Sequence, residues 1–265
     1  MKRLVYQVSV STMARQSKLY PHCITSVKEY CDQHGIDHIV QTTPKLFIRP
    51  DPFSMNRSTD SYMKYGGYLP IFEKENAFDY LDQYDQIAII DADIYIRPDS
   101  PNIFEEFGTS VAWGGVCERE MNIQDWYKNK INNYSNMQYG MSHGKNGMDF
   151  KPNELGFEFF NMGLILMNSS LIKPYLKGQT AKQFIERPEF KDFVDGKGTW
   201  KWSTDQTLLN TWLKKENIPV VHMQPKWNGL FTAINNLKEC HFIHFFLKDK
   251  LPEHGENVEE LMKLI

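Results

Sequence analysis

The chain has 265 residues, 41% of them hydrophobic and 14% aromatic, with a net charge of −3. That length suits one large α/β domain or a domain with a small subdomain, and the charge excludes the global basic field of a nucleic-acid binder. Four scattered cysteines with no Cys-x-x-Cys exclude a disulfide framework and a zinc ribbon; reduced thiols in a cytoplasmic setting are expected.

Residues 4–9 read as a first strand. Lys2 and Arg3 before them mimic the start of a secretory leader, but Gln7, Ser9 and Ser11 interrupt the apolar stretch and no small-residue cleavage site follows. A helix is predicted over 18–34, with Pro21 in its first turn and Gly35 ending it, then a strand over 36–41. Residues 43–60 contain Pro44, Pro50 and Pro52 and read as a loop. Helical spacing follows at Tyr62, Tyr65, Leu69, Phe72 and Phe78, broken near Gly66-Gly67 and Pro70. A strand opens at Ile87, a short helix is predicted at 98–107 and a strand at 111–116. Residues 118–153 are polar and rich in Asn, Met and Gly, with a helix near 125–137 and a mobile loop at 140–152. Strand character returns at 159–168, 219–223 and 241–246, helical character at 180–193, 204–217 and 256–265. This alternation predicts an α/β fold, a single Rossmann-like domain whose mostly parallel central sheet is flanked by helices. No apolar run approaches the roughly 20 residues of a membrane span. A soluble protein without a transmembrane segment is expected, and peripheral membrane contact stays open.

The chemistry concentrates at Gln86-Ile87-Ala88-Ile89-Ile90-Asp91-Ala92-Asp93. Four apolar residues in a row suit a strand buried on both faces, and ligands of open α/β sheets bind at the carboxyl ends of such strands. Residues i and i+2, such as Asp91 and Asp93, project to the same side of an extended chain. Two like charges there are unfavourable unless a cation lies between them. One reading is therefore a divalent metal site; the other is an acidic turn capping the next element.

Three later segments join this one: Phe159-Phe160-Asn161-Met162-Gly163, Trp202-Ser203-Thr204-Asp205-Gln206, and His244-Phe245-Phe246-Leu247-Lys248-Asp249-Lys250. In order and spacing the four resemble the GT-A glycosyltransferases of family 8, the glycogenin and bacterial galactosyltransferase group, over most of the chain. That family has an Asp-x-Asp after a buried strand, then Phe-Asn-x-Gly, Asp-Gln opening a helix, and a late His-Phe-x-Gly-x-x-Lys-Pro-Trp. Here Leu247 stands where the family has the late glycine, and Leu251-Pro252 where it has Pro-Trp.

The resemblance implies a metal-dependent hexosyltransferase acting on a nucleotide-diphosphate sugar, UDP-linked, with a glycan or other hydroxyl as acceptor, and retention at the anomeric carbon. Residues 1–117 would form the nucleotide-sugar half and 118–250 the acceptor half of one domain, followed by a terminal helix at 255–265. A cation bridging the two phosphates would neutralise the departing charge. Asp91, Asp93 and His244 are the expected ligands, a mixed oxygen and nitrogen set suited to Mn²⁺ (or Mg²⁺) more than to Ca²⁺. Ser9, Lys64, Ala92 and Lys250 join Asp91 and Asp93 on the nucleotide sugar. Asn161 would meet donor or acceptor, Asp205 the sugar hydroxyls, and Gln206 would lie beneath the anomeric carbon, stabilising positive charge through its carbonyl dipole.

Each residue has a plainer reading. His244 is otherwise a core or rim histidine, as His241 is expected to be, because the two face opposite sides of a strand. Lys250 is otherwise a surface lysine, and Lys64 a solvated helix lysine. Asn161 is otherwise a satisfied buried amide beside a bulge marked by Gly163. Asp205 is otherwise an acidic first-turn residue behind Ser203 or Thr204 as N-cap. Trp200, Trp202, Trp227 and Phe231 are either acceptor-cleft walls or core. Rival functions are an inverting GT-A transferase with Asp149, Glu154 or Glu158 as base, a non-catalytic nucleotide-sugar or carbohydrate-binding protein of the same fold, and a hydrolase using Asp91, Asp93, His241, His244 and His254.

Overall fold

A computed structural model of the chain describes residues 1–10, 17–202 and 204–265, so Ser11 and Ser203 lie outside the described residues. Nine strands are described: β1 Arg3–Val8, β2 Asp37–Gln41, β3 Gln86–Ile90, β4 Ile94–Ile96, β5 Trp113–Cys117, β6 Phe160–Asn168, β7 Val220–His222, β8 Gly229–Leu230 and β9 Phe242–His244. The α-helices are α1 Leu19–His34, α2 Met55–Tyr65, α3 Ile103–Phe107, α4 Asp125–Tyr139, α5 Ser169–Leu176, α6 Ala181–Ile185, α7 Lys191–Asp195, α8 Asp205–Lys215 and α9 Val258–Lys263.

Six strands form the central sheet in the order β2-β1-β3-β6-β5-β7. β3 pairs in parallel with β1, as β1 does with β2 and β5 with β7, while β6 runs antiparallel to both its neighbours. Five of the six strands therefore point one way. Side-chain alternation divides the core by face. Leu4, Tyr6, Ile87, Ile89, Ile165 and Met167 pack with Trp113 and Trp212 on one face. Val5, Ala88, Ile90, Leu164 and Leu166 pack with Phe104, Trp227 and Phe242 on the other. Burial on both faces is why β3 reads as an uninterrupted apolar run.

The reversed strand matters for the site. Because β6 is antiparallel, its first residues lie beside the last residues of β3, with Ile90 opposite Leu164. The β5–β6 register also jumps: Gly115 pairs with Ile165, but Val116 pairs with Asn161. Residues 162–164 bulge out of that ladder, at the sheet edge where Asp91 emerges. A second sheet, β4-β9-β8, packs there, with β9 antiparallel to β4 and parallel to β8.

Several boundaries differ from the sequence expectation. The stretch read as a loop to residue 60 becomes helical at Met55, once Pro44, Pro50 and Pro52 are passed. α2 then stops at Gly66, whose φ of 69° forms a left-handed C-cap. Pro70 restarts the chain as a 3₁₀ helix, Pro70–Tyr80. The single helix expected at 180–193 is split by Pro188 into α6, a 3₁₀ turn and α7. β4, β8 and α5 were not expected. The tract at 140–152 consists of turns anchored by Phe150, which is buried and stacks on Tyr139 at 4.8 Å.

Candidate active site

Asp91 leaves β3 with its N–H donating to Gly163 O at 2.9 Å, and the Ile94 N–H donates back to Asp91 O at 3.1 Å. This turn presents Asp91 and Asp93 on either side of the buried Ala92. β4 begins at Ile94, directly opposite His244 in β9, and the Phe245 N–H donates to Asp93 O at 2.9 Å. Strand pairing thus carries the imidazole to the carboxylates across 150 residues of chain. His244 Nε2 lies 3.4 Å from Asp93 Oδ1 and 3.8 Å from Asp91 Oδ2. The other oxygen of each carboxylate meets a lysine: Asp91 Oδ1 lies 2.8 Å from Lys74 Nζ, and Asp93 Oδ2 lies 3.2 Å from Lys248 Nζ. What remains is two carboxylate oxygens and one imidazole nitrogen, and the three residues offer ligand atoms within 4.8 Å of one another. That set fits a divalent cation of the Mn²⁺ or Mg²⁺ kind.

Electrostatics hold the cluster together. Burial disfavours the ionised form of Asp93, but the His244 imidazole and Lys248 overcome it and keep the carboxyl well below the usual range. Burial would lower the His244 pKa, and Asp93 with Asp91 raises it instead. Lys74 is buried yet stays charged, because Asp205 and Asp91 outweigh its desolvation. Its Nζ also donates to Met162 O at 2.9 Å. Asp205 reaches Lys74 at 2.7 Å from the first position of α8. The N-cap is Thr204, whose hydroxyl accepts the Gln206 N–H at 3.2 Å.

A chain of side-chain amides fixes the imidazole. His244 Nδ1 lies 3.1 Å from Asn228 Oδ1, and Asn228 Nδ2 donates to Asn161 Oδ1 at 2.8 Å. Asn161 Nδ2 donates to Glu118 Oε1 at 2.6 Å, and Gln206 Nε2 donates to the same oxygen at 3.3 Å. Asn228 is oriented by its donation to Asn161, so its carbonyl accepts from His244 Nδ1–H and leaves Nε2 for the carboxylate side. Glu118 is buried, which pushes its carboxyl up against the bonds from Asn161, Gln206 and Tyr127. Gln206, with its amide nitrogen on Glu118, has its carbonyl oxygen as the end left for a ligand.

Gly163 has a steric reason. A Cβ there would sit 2.5 Å from His244 Cε1 and 2.6 Å from Nδ1, so the ring occupies the space a side chain would need. Asn161 Oδ1 also accepts the Gly163 N–H at 2.9 Å. Both ends of the Asn161 amide are thus engaged inside the protein, by Glu118, Asn228 and the Gly163 N–H.

Other expected residues are brought elsewhere. Lys64 is exposed on α2 and pairs with Asp60 at 3.2 Å; Lys74 is the buried lysine among the carboxylates. Lys250 rests on the Trp126 ring at 3.8 Å, and Lys248 is the lysine that reaches Asp93. The Lys248 ammonium also meets the Tyr20 hydroxyl and ring. Leu247 takes a φ of 53°, a left-handed conformation that a glycine would adopt without the roughly 1–2 kcal/mol that leucine meets there. Ser9 lies just past β1 and donates its N–H to Gln41 O at 2.9 Å; parallel pairing puts this end of β1 beside the end of β3. His241 stands apart from the carboxylates, against Trp227 at 4.9 Å. Trp227 is core, whereas Trp202 is exposed. Glu158 is paired with Lys214 and lies 3.1 Å from His222 Nε2.

No protein-family model matches the chain, and no curated protein matches its sequence. Solved structures do match. The galactosyltransferase LgtC, in complex with donor and acceptor sugar analogs, superposes with a TM-score of 0.50 at 13% identity, over 99% of this chain and 94% of that one. Mouse xyloside xylosyltransferase 1 gives a TM-score of 0.48 at 11% identity, over 95% and 99%. A glycosyltransferase involved in glycosylation of the major capsid of PBCV-1 gives 0.45 at 10%, over 98% and 100%. The fold is the GT-A glycosyltransferase fold. At such identities the likeness is one of architecture, the central sheet with its flanking helices. Among the described residues no helix is long and apolar enough to cross a membrane.

Sequence reasoning missed Lys74, Glu118, Asn228 and Lys248. Glu73-Lys74-Glu75 looks like a solvated helix face, and only the 3₁₀ path after Pro70 turns Lys74 inward. Glu118 did leave a signal: a carboxylate directly after the apolar strand Trp113–Cys117, at the same sheet edge as Asp91. Asn228 is visible only once β9 is paired.

Proposed function

We propose that the chain is a metal-dependent glycosyltransferase that moves a hexose from a nucleotide-diphosphate sugar, UDP-linked, to a hydroxyl of a glycan or similar acceptor, with retention. The observation that carries this reading is the convergence of Asp91, Asp93 and His244, with Lys74 and Asp205 alongside, at the carboxyl end of β3. Asp91, Asp93 and His244 Nε2 would hold Mn²⁺ or Mg²⁺, which when bound neutralises charge on a departing diphosphate. Lys74 holds Asp91 in place through its ion pair, and Lys248 does the same for Asp93. The end of β1 at Ser9 would carry the nucleoside beside Asp91. Asp205 would accept hydrogen bonds from donor hydroxyls. Glu118 holds Gln206 by its amide nitrogen, so the Gln206 carbonyl dipole would face positive charge developing at the anomeric carbon, with the acceptor hydroxyl entering from the leaving-group side. Residues 1–117 would serve the donor and 118–250 the acceptor, within one domain.

Calorimetry tests this directly. UDP, GDP and CDP are titrated with and without Mn²⁺ into the wild type and the Asp91→Ala/Asp93→Ala variant. UDP binding that needs Mn²⁺ and disappears in the double variant is expected. Absence of metal-dependent binding to all three nucleotides would overturn the proposal and return Asp91-Ala92-Asp93 to an acidic turn.

A further inference from the structure

A second group of metal-ligating side chains lies at the other end of the Cys117-Glu118 step. Cys117 closes β5, Glu120 ends the 3₁₀ turn Glu118–Glu120 that follows, and His222 closes β7, the parallel neighbour of β5. Gly115 pairs with His222, and the Met223 N–H donates to Gly115 O at 2.9 Å, which sets the imidazole beside the turn. Cys117, Glu120 and His222 each offer a ligand atom, all within 4.8 Å of one another. His222 Nδ1 lies 2.8 and 2.9 Å from the two Glu120 oxygens.

We propose that Cys117, Glu120 and His222 form a second metal site, suited to a zinc-like cation and separate from the Asp91–Asp93–His244 centre. The donor set is the first reason. A thiolate, an imidazole and a carboxylate are zinc ligands, whereas two carboxylates and an imidazole suit a harder ion. Size is the second. Tetrahedral zinc with bonds of about 2.0–2.3 Å keeps its ligand atoms about 3.3–3.7 Å apart. The Glu120 oxygens, at 2.8 and 2.9 Å from Nδ1, would swing outward by about half an ångström to reach that spacing, and Cys117 Sγ already lies within 4.8 Å of both partners.

The outer shell is the third reason, and the most specific. A metal on His222 Nδ1 requires the remaining proton on Nε2, and Nε2 lies 3.1 Å from Glu158 Oε1. Metal-bound histidines characteristically donate their second N–H to a carboxylate. Glu158 is itself fixed, buried between Lys214 and, at 3.7 Å, Lys151. A protonated His222 bridging Glu120 and Glu158 would account for the two carboxylates, but not for the Cys117 thiol beside them.

The thiol must lose its proton. Burial pushes Cys117 up to about 12, while backbone N–H groups of Phe159 and Arg119 favour the thiolate. The cation displaces that proton to solvent and forms the metal–sulfur bond, so binding releases protons. Glu120 and His222 face solvent, which leaves water for the open fourth position. Occupancy would pin residues 117–120, and with them Glu118, which holds Gln206 and Asn161.

The test uses the full chain carrying Asp93→Ala, so that the first centre is impaired. Co²⁺ is titrated as the spectroscopic probe and displaced with Zn²⁺. One equivalent is expected to give tetrahedral absorption with a thiolate-to-cobalt charge-transfer band that Zn²⁺ abolishes. Cys117→Ser removes the band. Glu158→Gln keeps it but weakens Zn²⁺ binding about 10–100-fold, the usual cost of losing an outer-shell carboxylate. Because Cys117 is buried, the exposed Glu120→Gln serves as a second variant, expected to weaken Zn²⁺ without disturbing the far-ultraviolet spectrum. A parent protein with no charge-transfer band, a band that survives Cys117→Ser, or Zn²⁺ affinity unchanged in Glu120→Gln would each overturn the proposal.

Discussion

Gly163 shows how far one missing methyl group reaches. With the His244 ring 2.5 Å from the position of an added Cβ, Gly163→Ala forces either the ring or β6 to move. Overpacking of this kind costs about 1–3 kcal/mol, and displacement of Nε2 is expected to weaken Mn²⁺ binding by about tenfold or more, as loss of ligand positioning does elsewhere. Calorimetry on a variant with unchanged far-ultraviolet circular dichroism decides it, and wild-type Mn²⁺ affinity would show that the ring position is not what the glycine protects. Glu75 makes a different residue-scale case. Both its oxygens are buried without a partner, and burial, with Asp205 nearby, holds its carboxyl well above the usual carboxylate range. The folded chain therefore keeps this proton where the unfolded chain releases it. Below pH 4.5 neither state is penalised; above it, stability falls by up to about 1.4 kcal/mol per pH unit until the folded group also ionises. Glu75→Gln should thus match the wild type in urea unfolding at pH 4 and exceed it increasingly toward pH 7. Equal stability at both pH values would mean that Glu75 is ionised in the fold.

At the scale of elements, the amide chain from His244 through Asn228 and Asn161 to Glu118 ties β9 to β6 and to the turn after β5. Asn228→Ala removes both the acceptor for His244 Nδ1–H and the donor to Asn161. The expected result is a 10–100-fold loss of Mn²⁺ affinity, together with about 1–3 kcal/mol of stability from buried polar groups left unpaired. If stability falls while Mn²⁺ affinity holds, the chain is structural and does not tune the ligand. The elements themselves were unevenly legible. β3 could be read because two-faced burial leaves four consecutive apolar residues, and α1 because Pro21 and Gly35 mark its ends. β4 and β8 span three and two residues and carry no periodicity of their own; they exist because β9 pairs with them. The 3₁₀ path after Pro70 hid Lys74 for a similar reason. An ordinary helical reading of that stretch puts Glu73, Lys74 and Glu75 in water, whereas all three are buried here.

At the scale of the molecule, the antiparallel β6 is the feature that no local pattern announces, since its nine buried residues resemble any central strand. Its direction nonetheless builds the site, by bringing Asn161 and Gly163 to the end of β3. The candidate centre consequently draws on both sheets, on α8 and on the 3₁₀ segment at Pro70–Tyr80, and it exists only when all four are assembled. A ligand that needs the assembled site must stabilise the whole fold. At 100 times its dissociation constant such a ligand contributes about 2.7 kcal/mol. For a chain near this size, where 1 kcal/mol moves Tm by about 2–4 °C, Mn²⁺ with UDP is expected to raise Tm by about 5–10 °C. Mn²⁺ alone should give less, and the Asp91→Ala/Asp93→Ala variant almost nothing, with its unliganded Tm as reference. A full shift in the double variant would move nucleotide binding away from these carboxylates. A shift with UDP that is indifferent to Mn²⁺ would leave Lys74, Lys248 and His244 as the charges that meet the diphosphate without a metal.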